Sequence, residues 1–191
     1  MVAAAVATAI GLSGCQGITT ALSPSTATPS TLAMAPPSTE TPSASPSPST
    51  SRPPASVPTA AKAKTKAGSA SFVGFFWQQF NRSQTEPSNT ALDNLYQDSC
   101  KPCAAYEDAA QALQSNKQRY GSPPFVVKGI KSDTLTGNTA TVLSDINQQG
   151  ASVVDGSGKT AASAPQKEFQ FLVTLAWVNN GWRVSDIQVV Q

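Results

Sequence analysis

All seven Phe, three Trp and three Tyr of this chain fall after Ala70. That partition limits where a folded core can form. Between Gln16 and Ser69 stand ten of the fifteen prolines, with Ser, Thr and Ala between them and almost no large aliphatic side chain. Such a segment buries too little apolar area to offset the entropy of ordering it. Residues 15–69 are therefore expected to form a disordered stalk, extended by its prolines. Its reach is at most ~170 Å as polyproline II, or roughly 40 Å as a flexible coil. Residues 70–191 suffice for one domain with its own core. Lys62, Lys64 and Lys66 close the stalk and are expected to be a solvated linker end; a basic patch for acidic polymers or lipid headgroups is the alternative. From Ala70 onward nine Lys/Arg face ten Asp/Glu, so the positive net charge of the chain comes from the stalk. A near-neutral head has no electrostatic footprint for nucleic acid, and no such partner is expected.

Within the head the pattern splits into helices and then strands. Residues 71–82 carry Phe72, Phe75, Phe76 and Phe80 at helical spacing, with Ser69 or Ser71 as N-cap. A short second helix is expected at 89–97, around Leu92, Leu95 and Tyr96. A third is expected from Pro102 or Cys103 to Tyr120, with Ala105, Ala109, Ala112, Leu113 and Tyr120 inward, Gly121 beyond its end and Pro123-Pro124 stopping it. Strands are expected at 125–132, 139–148, 168–178 and 182–190. The polar stretch 149–166 reads as a mobile hairpin end, and Asn180-Gly181 as a tight type I′ turn. On the clearest strand Phe169, Phe171, Val173, Leu175 and Trp177 share one side. The apolar set of the last strand shifts between Val184 and Ile187, which implies a bulge near Ser185-Asp186. The expected fold class is α+β, with three N-terminal helices packed on a curved four-stranded antiparallel sheet.

Two resemblances add to this reading. The apolar run 2–12 ends in Leu12-Ser13-Gly14-Cys15, which resembles the bacterial lipobox. The resemblance implies that residues 1–14 are a discarded signal, that Cys15 is lipidated, and that the protein sits outside the cytoplasm on the outer face of the cell membrane. A diacylglyceryl cysteine would be a stable anchor; an apolar N-terminus with a chance cysteine is the alternative. The aromatic first helix, the Cys100-x-x-Cys103 pair and the closing Trp177, Asn180-Gly181, Trp182, Val184 and Ile187 resemble nuclear-transport-factor-2-like (SnoaL-like) domains, and among these the heads of uncharacterised actinobacterial lipoproteins. That likeness implies a cone between helix and sheet, either open to a small molecule or filled by side chains.

The chain contains no histidine. Ser-His-Asp and Cys-His catalysis are thereby excluded, as are most zinc and non-haem iron sites. No metal, cofactor or catalytic residue is expected. Cys100 and Cys103 read as a structural disulfide in an oxidising compartment, with a redox pair or a metal ligand pair as alternatives. The aromatic stripe reads first as core; if the cone is open, its candidate lining is Phe72, Phe76, Phe80, Phe171, Val173, Trp177 and Trp182. A cyclase or isomerase on such a frame needs a pocket carboxylate as base. Only Asp145 and Asp186 could face inward, because Glu168 has the opposite parity from Phe169–Trp177. The expected function is that of a non-enzymatic, lipid-anchored envelope protein whose head binds a partner protein or a small apolar ligand. The alternatives are a carrier or sensor with an open cone, a cyclase- or isomerase-like enzyme, and a thiol oxidoreductase.

Overall fold

The computed structural model describes residues 56–88 and 90–190, all of them within one compact unit, Ser47–Gln191. The lipobox and the proline-rich segment through residue 55 lie outside the described residues.

Helix α1 spans Lys66–Thr85 and begins earlier than its aromatic stripe suggests. Thr65 is extended and its hydroxyl accepts the Gly68 amide at 3.0 Å, satisfying a donor that the first helical turn leaves orphaned. A 3₁₀ turn, Thr59–Lys62, precedes it and buries Ala61. The Ala63 carbonyl accepts the Trp182 indole N–H at 2.9 Å. The expected domain boundary at Ala70 is thus corrected: it falls inside α1, and the head includes the chain from Val57, which packs on the core. Lys64 and Lys66, expected as a solvated linker end, reach Asn138 Oδ1 (2.5 Å) and the Asp133 carbonyl (2.7 Å).

The expected helix at 89–97 is not formed. Asn94 takes φ +60°, and the chain then runs beside strand β7 (Gly181–Val189): Val184 N donates to Leu95 O and Gln97 N to Val184 O. Leu92 and Leu95 are buried as expected, but from turns. Helix α2, Lys101–Ser115, is capped by Cys100 and ends five residues before the expected Tyr120. Lys117 ends it in the left-handed region, φ +54°, donating to Gln114 O while Gln118 N returns to Leu113 O. Its inner face is also turned: Cys103 and Ala110 are buried and Tyr106 packs on the core, whereas Ala105, Ala109 and Ala112 are exposed. Lysine in a left-handed slot that favours glycine costs on the order of 1 kcal/mol. Lys117→Gly is therefore expected to stabilise the protein by about that amount in urea denaturation; a loss would show that Lys117 makes a compensating contact.

Strands β2 (Phe125–Thr136), β3 (Thr139–Gln148), β6 (Lys167–Val178) and β7 pair antiparallel in that order. Two corrections concern the connections. The tight β6–β7 turn uses Asn179-Asn180, both at positive φ (49° and 60°), with Gly181 already paired to Val178. The stretch 149–166, expected as a mobile end, contributes β4 (Ser152–Val154) and β5 (Thr160–Ser163) to a second sheet with β1 (Arg119–Tyr120), ordered β1-β4-β5. Buried Ala151 and Val153 give it an inner side. Asp155 Oδ1 fixes its turn by accepting the amides of Ser157 (2.9 Å) and Lys159 (3.0 Å). The expected bulge on the last strand is present: Thr174 pairs with Asp186 and Leu175 with Val184, leaving Ser185 unpaired.

Candidate functional site

The inner faces of α1 and the main sheet meet in one apolar cluster. Phe72, Phe76, Phe80, Phe171, Val173 and Trp182 are buried in it, and Trp177 packs against its margin. Trp77 lies at its centre, with the rings of Phe76, Phe80, Tyr106, Phe125 and Phe171 all within 6.2 Å of its own centroid. Four buried polar atoms have no partner among the described residues: Trp77 Nε1, Gln79 Oε1, Ser144 Oγ and Asn147 Oδ1. No Asp, Glu, Lys or Arg of the described residues is buried. Asp145 and Asp186, the two acids that could have faced inward, both stand on the outer face of the sheet. Asp145 pairs with Gln170 and Asp186 with Thr174, whose neighbours Phe171 and Val173 point into the core.

The inner titratable groups are tyrosines. Burial pushes the Tyr106 phenol up to about 12. Burial, then the hydrogen bond it donates to Glu107, raises Tyr96 far above the ordinary phenol value. A folded-state value above the unfolded one (~10) gives stability that is complete below pH ~10 and lost as pH rises through the folded value. Unfolding free energy should therefore fall between pH 10 and 12, and more gently in Tyr106→Phe. Equal slopes in the two proteins would contradict this.

Cys100 and Cys103 are disulfide-bonded, and both are fully buried. Cys100 Sγ also accepts the Cys103 amide at 3.3 Å, capping α2. A buried bridge is a structural one, because a thiolate must reach a sulfur to exchange with it. The Cys100→Ala/Cys103→Ala double variant should lose ~2 kcal/mol, the loop-closure value for so small a ring. The native protein should show no thiol-exchange activity; rapid turnover of a disulfide substrate would contradict this.

The charged groups gather instead on the outer face of the sheet, where Lys128, Asp145, Glu168 and Gln170 line a cleft of about 360 Å³; Ile146 and Phe169 also border it, although their side chains pack on the core side. A bulge in β2 builds one wall. Val127 pairs with Ile146 and Gly129 with Asp145, so Lys128 is the extra residue, and bulges re-aim side chains in this way. A Cβ at Gly129 would lie 3.1 Å from Asp145 Oδ2, so the missing side chain makes room for the carboxylate. Gln170 Nε2 donates to Asp145 Oδ1 at 2.8 Å and orients it. Of these residues the sequence singled out only Asp145 for a site. Lys128, Glu168 and Gln170 are separated along the chain, and their one local signal is a glycine inside a strand pattern.

An α+β architecture of this kind is found in solved structures. The chain is similar to the intermembrane-space region of the chloroplast protein ARC6, with a TM-score of 0.52 and 12% identity, over 65% of this chain and 95% of that one. A candidate dehydratase of the NTF2-like family from Streptomyces avermitilis is similar at TM-score 0.41 and 13% identity, over 65% and 96%. A candidate scytalone dehydratase from Novosphingobium aromaticivorans is similar at TM-score 0.42 and 12% identity, over 62% and 82%. At such identities the likeness is one of fold, not of chemistry. The chain belongs to DUF6318, a family of unknown function, which it matches over residues 41–188. No curated protein matches it.

Proposed function

We propose that this protein is a lipid-anchored, non-catalytic binding protein of the cell envelope, held through Cys15 and engaging its partner by the outer-face cleft of its head. One observation carries the reading: among the described residues the interior holds no buried acid or base, while Lys128, Asp145 and Glu168 converge on the cleft. A general base must reach the proton it abstracts, and an interior without a carboxylate supplies none. The anchor is tested on the full chain. Cys15→Ala should move the protein from the membrane fraction to the medium; unchanged retention would overturn it. The head is tested by crosslinking in intact cells, where Asp145→Asn/Glu168→Gln should abolish the partner adduct without changing the melting temperature. An adduct of undiminished yield would overturn the cleft.

The unpartnered Trp77 Nε1 and Ser144 Oγ favour one second reading, a carrier whose interior holds a small hydrogen-bonding molecule. Native mass spectrometry of the purified protein decides it: a bound mass lost in Trp77→Phe supports the carrier, and a bare protein opposes it.

A further inference from the structure

We infer that the end of the head on which the tether enters docks on anionic lipid headgroups, so that the domain lies against the membrane. The inference takes the Cys15 anchor from the proposed function and is independent of the cleft. Before Ala70 the charged residues are Arg52, Lys62, Lys64 and Lys66 against Glu40, and folding fixes the three lysines to one end of the domain. Lys64 Nζ donates to Asn138 Oδ1 in the β2–β3 turn at 2.5 Å, and Lys66 Nζ to the Asp133 carbonyl near that turn at 2.7 Å. Lys62 follows buried Ala61 and is itself exposed. Arg183 joins them beside the β6–β7 turn, where its Nη1 donates to the Trp182 carbonyl at 2.9 Å. Trp182 Nε1 in turn bonds Ala63, which stands between Lys62 and Lys64.

These contacts hold the cations in place without neutralising them. Each acceptor is an uncharged amide oxygen, and among the described residues no carboxylate pairs with Lys62, Lys64, Lys66 or Arg183. The acids of this end are Asp133 on β2 and Asp93 on the segment that runs beside β7, so four cations face two acids. Two features favour lipid over a soluble polyanion. Val178, 37% exposed, ends β6 at the same turn, and partly buried Trp177 beside it packs edge-on to Trp182. Tryptophan among basic residues suits the boundary between headgroups and acyl chains. The residues that lead back to Cys15 also join the head here, just before Val57, so an anchor at Cys15 brings this end to the bilayer first. Each lysine near an anionic leaflet contributes about fivefold in affinity. Three of them orient a tethered head but do not retain a chain without lipid at physiological salt, which keeps the expected release of Cys15→Ala.

The test is sedimentation of the full-length Cys15→Ala chain, which carries no lipid, with vesicles at low salt. Vesicles of phosphatidylcholine mixed with phosphatidylglycerol should bind it, and phosphatidylcholine alone should not. Lys62→Gln/Lys64→Gln/Lys66→Gln should lower partitioning about a hundredfold. Lys62→Arg/Lys64→Arg/Lys66→Arg should retain it, which separates charge from the two side-chain hydrogen bonds. In nanodiscs of the mixed composition, a gadolinium-headgroup lipid should broaden the amides of Lys62, Lys64, Lys66, Asn138 and Asn180 first. Equal binding to both vesicles, undiminished binding of the glutamine variant, or broadening confined to another face overturns the inference. Complete displacement by soluble poly(glycerol phosphate) at equal phosphate concentration overturns lipid as the partner. None of these outcomes bears on the anchor, which fractionation of the native chain tests, or on the cleft, which crosslinking tests.

Discussion

Trp77→Ala should cost about 3–5 kcal/mol, a large share of the 5–15 kcal/mol that holds a domain together. The indole is fully buried, and its ring neighbours come from α1, α2, β2 and β6. No single adjacent side chain can fill the hole, because the surrounding rings are held by four different elements. Trp77→Phe should cost far less, roughly 1–2 kcal/mol, because it also removes an indole N–H that has no partner among the described residues. Chemical denaturation of both variants checks the pair. If Trp77→Phe proves as costly as Trp77→Ala, the N–H has a bound partner, and the carrier reading gains.

Gly68→Ala is the second large effect, and its sign opposes helix propensity. In an ordinary helix interior the change stabilises by about 1 kcal/mol. Here a Cβ on Gly68 would stand 2.0 Å from the Ala63 carbonyl oxygen and 2.9 Å from its carbon. Backbone must then move, and the same oxygen accepts the Trp182 indole N–H. Overpacking and an unpartnered buried indole together should cost roughly 2–5 kcal/mol. A stabilised Gly68→Ala would show that the turn at Thr59–Lys62 is not docked on the head in solution. The variant thus separates a head that begins near Val57 from one that begins at Ala70.

These two glycine and tryptophan sites show what local pattern reveals. Alternation puts Phe171, Val173 and Leu175 on the inner side of their strand, and they are buried there, because the period-2 alternation of a strand is written residue by residue. The bulge at Ser185 and the cysteines at the start of α2 were legible for the same reason: each is a short-range signal. The first helix was legible as an element but not in its start, since the stripe of rings marks where it packs and Thr65 marks where it begins.

What the sequence determined by itself is the α+β order, the four main strands with their inner faces, and, through the absence of histidine, the chemistries closed to it. The tertiary structure decided the rest. Residues 57–63 join the head although they contain no aromatic residue, because the head uses small side chains there, Val57 and Ala61, and a backbone carbonyl, which every residue has. Leu92 and Leu95, spaced as on a helix, are buried from turns because the edge of β7 offers Val184 as a backbone partner. Helix α2 turned its face toward Tyr106 because the cluster around Trp77 had a ring-sized place for it. The cleft could be assembled only by strand pairing, which brings Lys128, Asp145 and Glu168 onto one surface from three strands. Local pattern fixes which way a side chain leaves its own backbone; which other chain segment it meets is set by the pairing of whole elements.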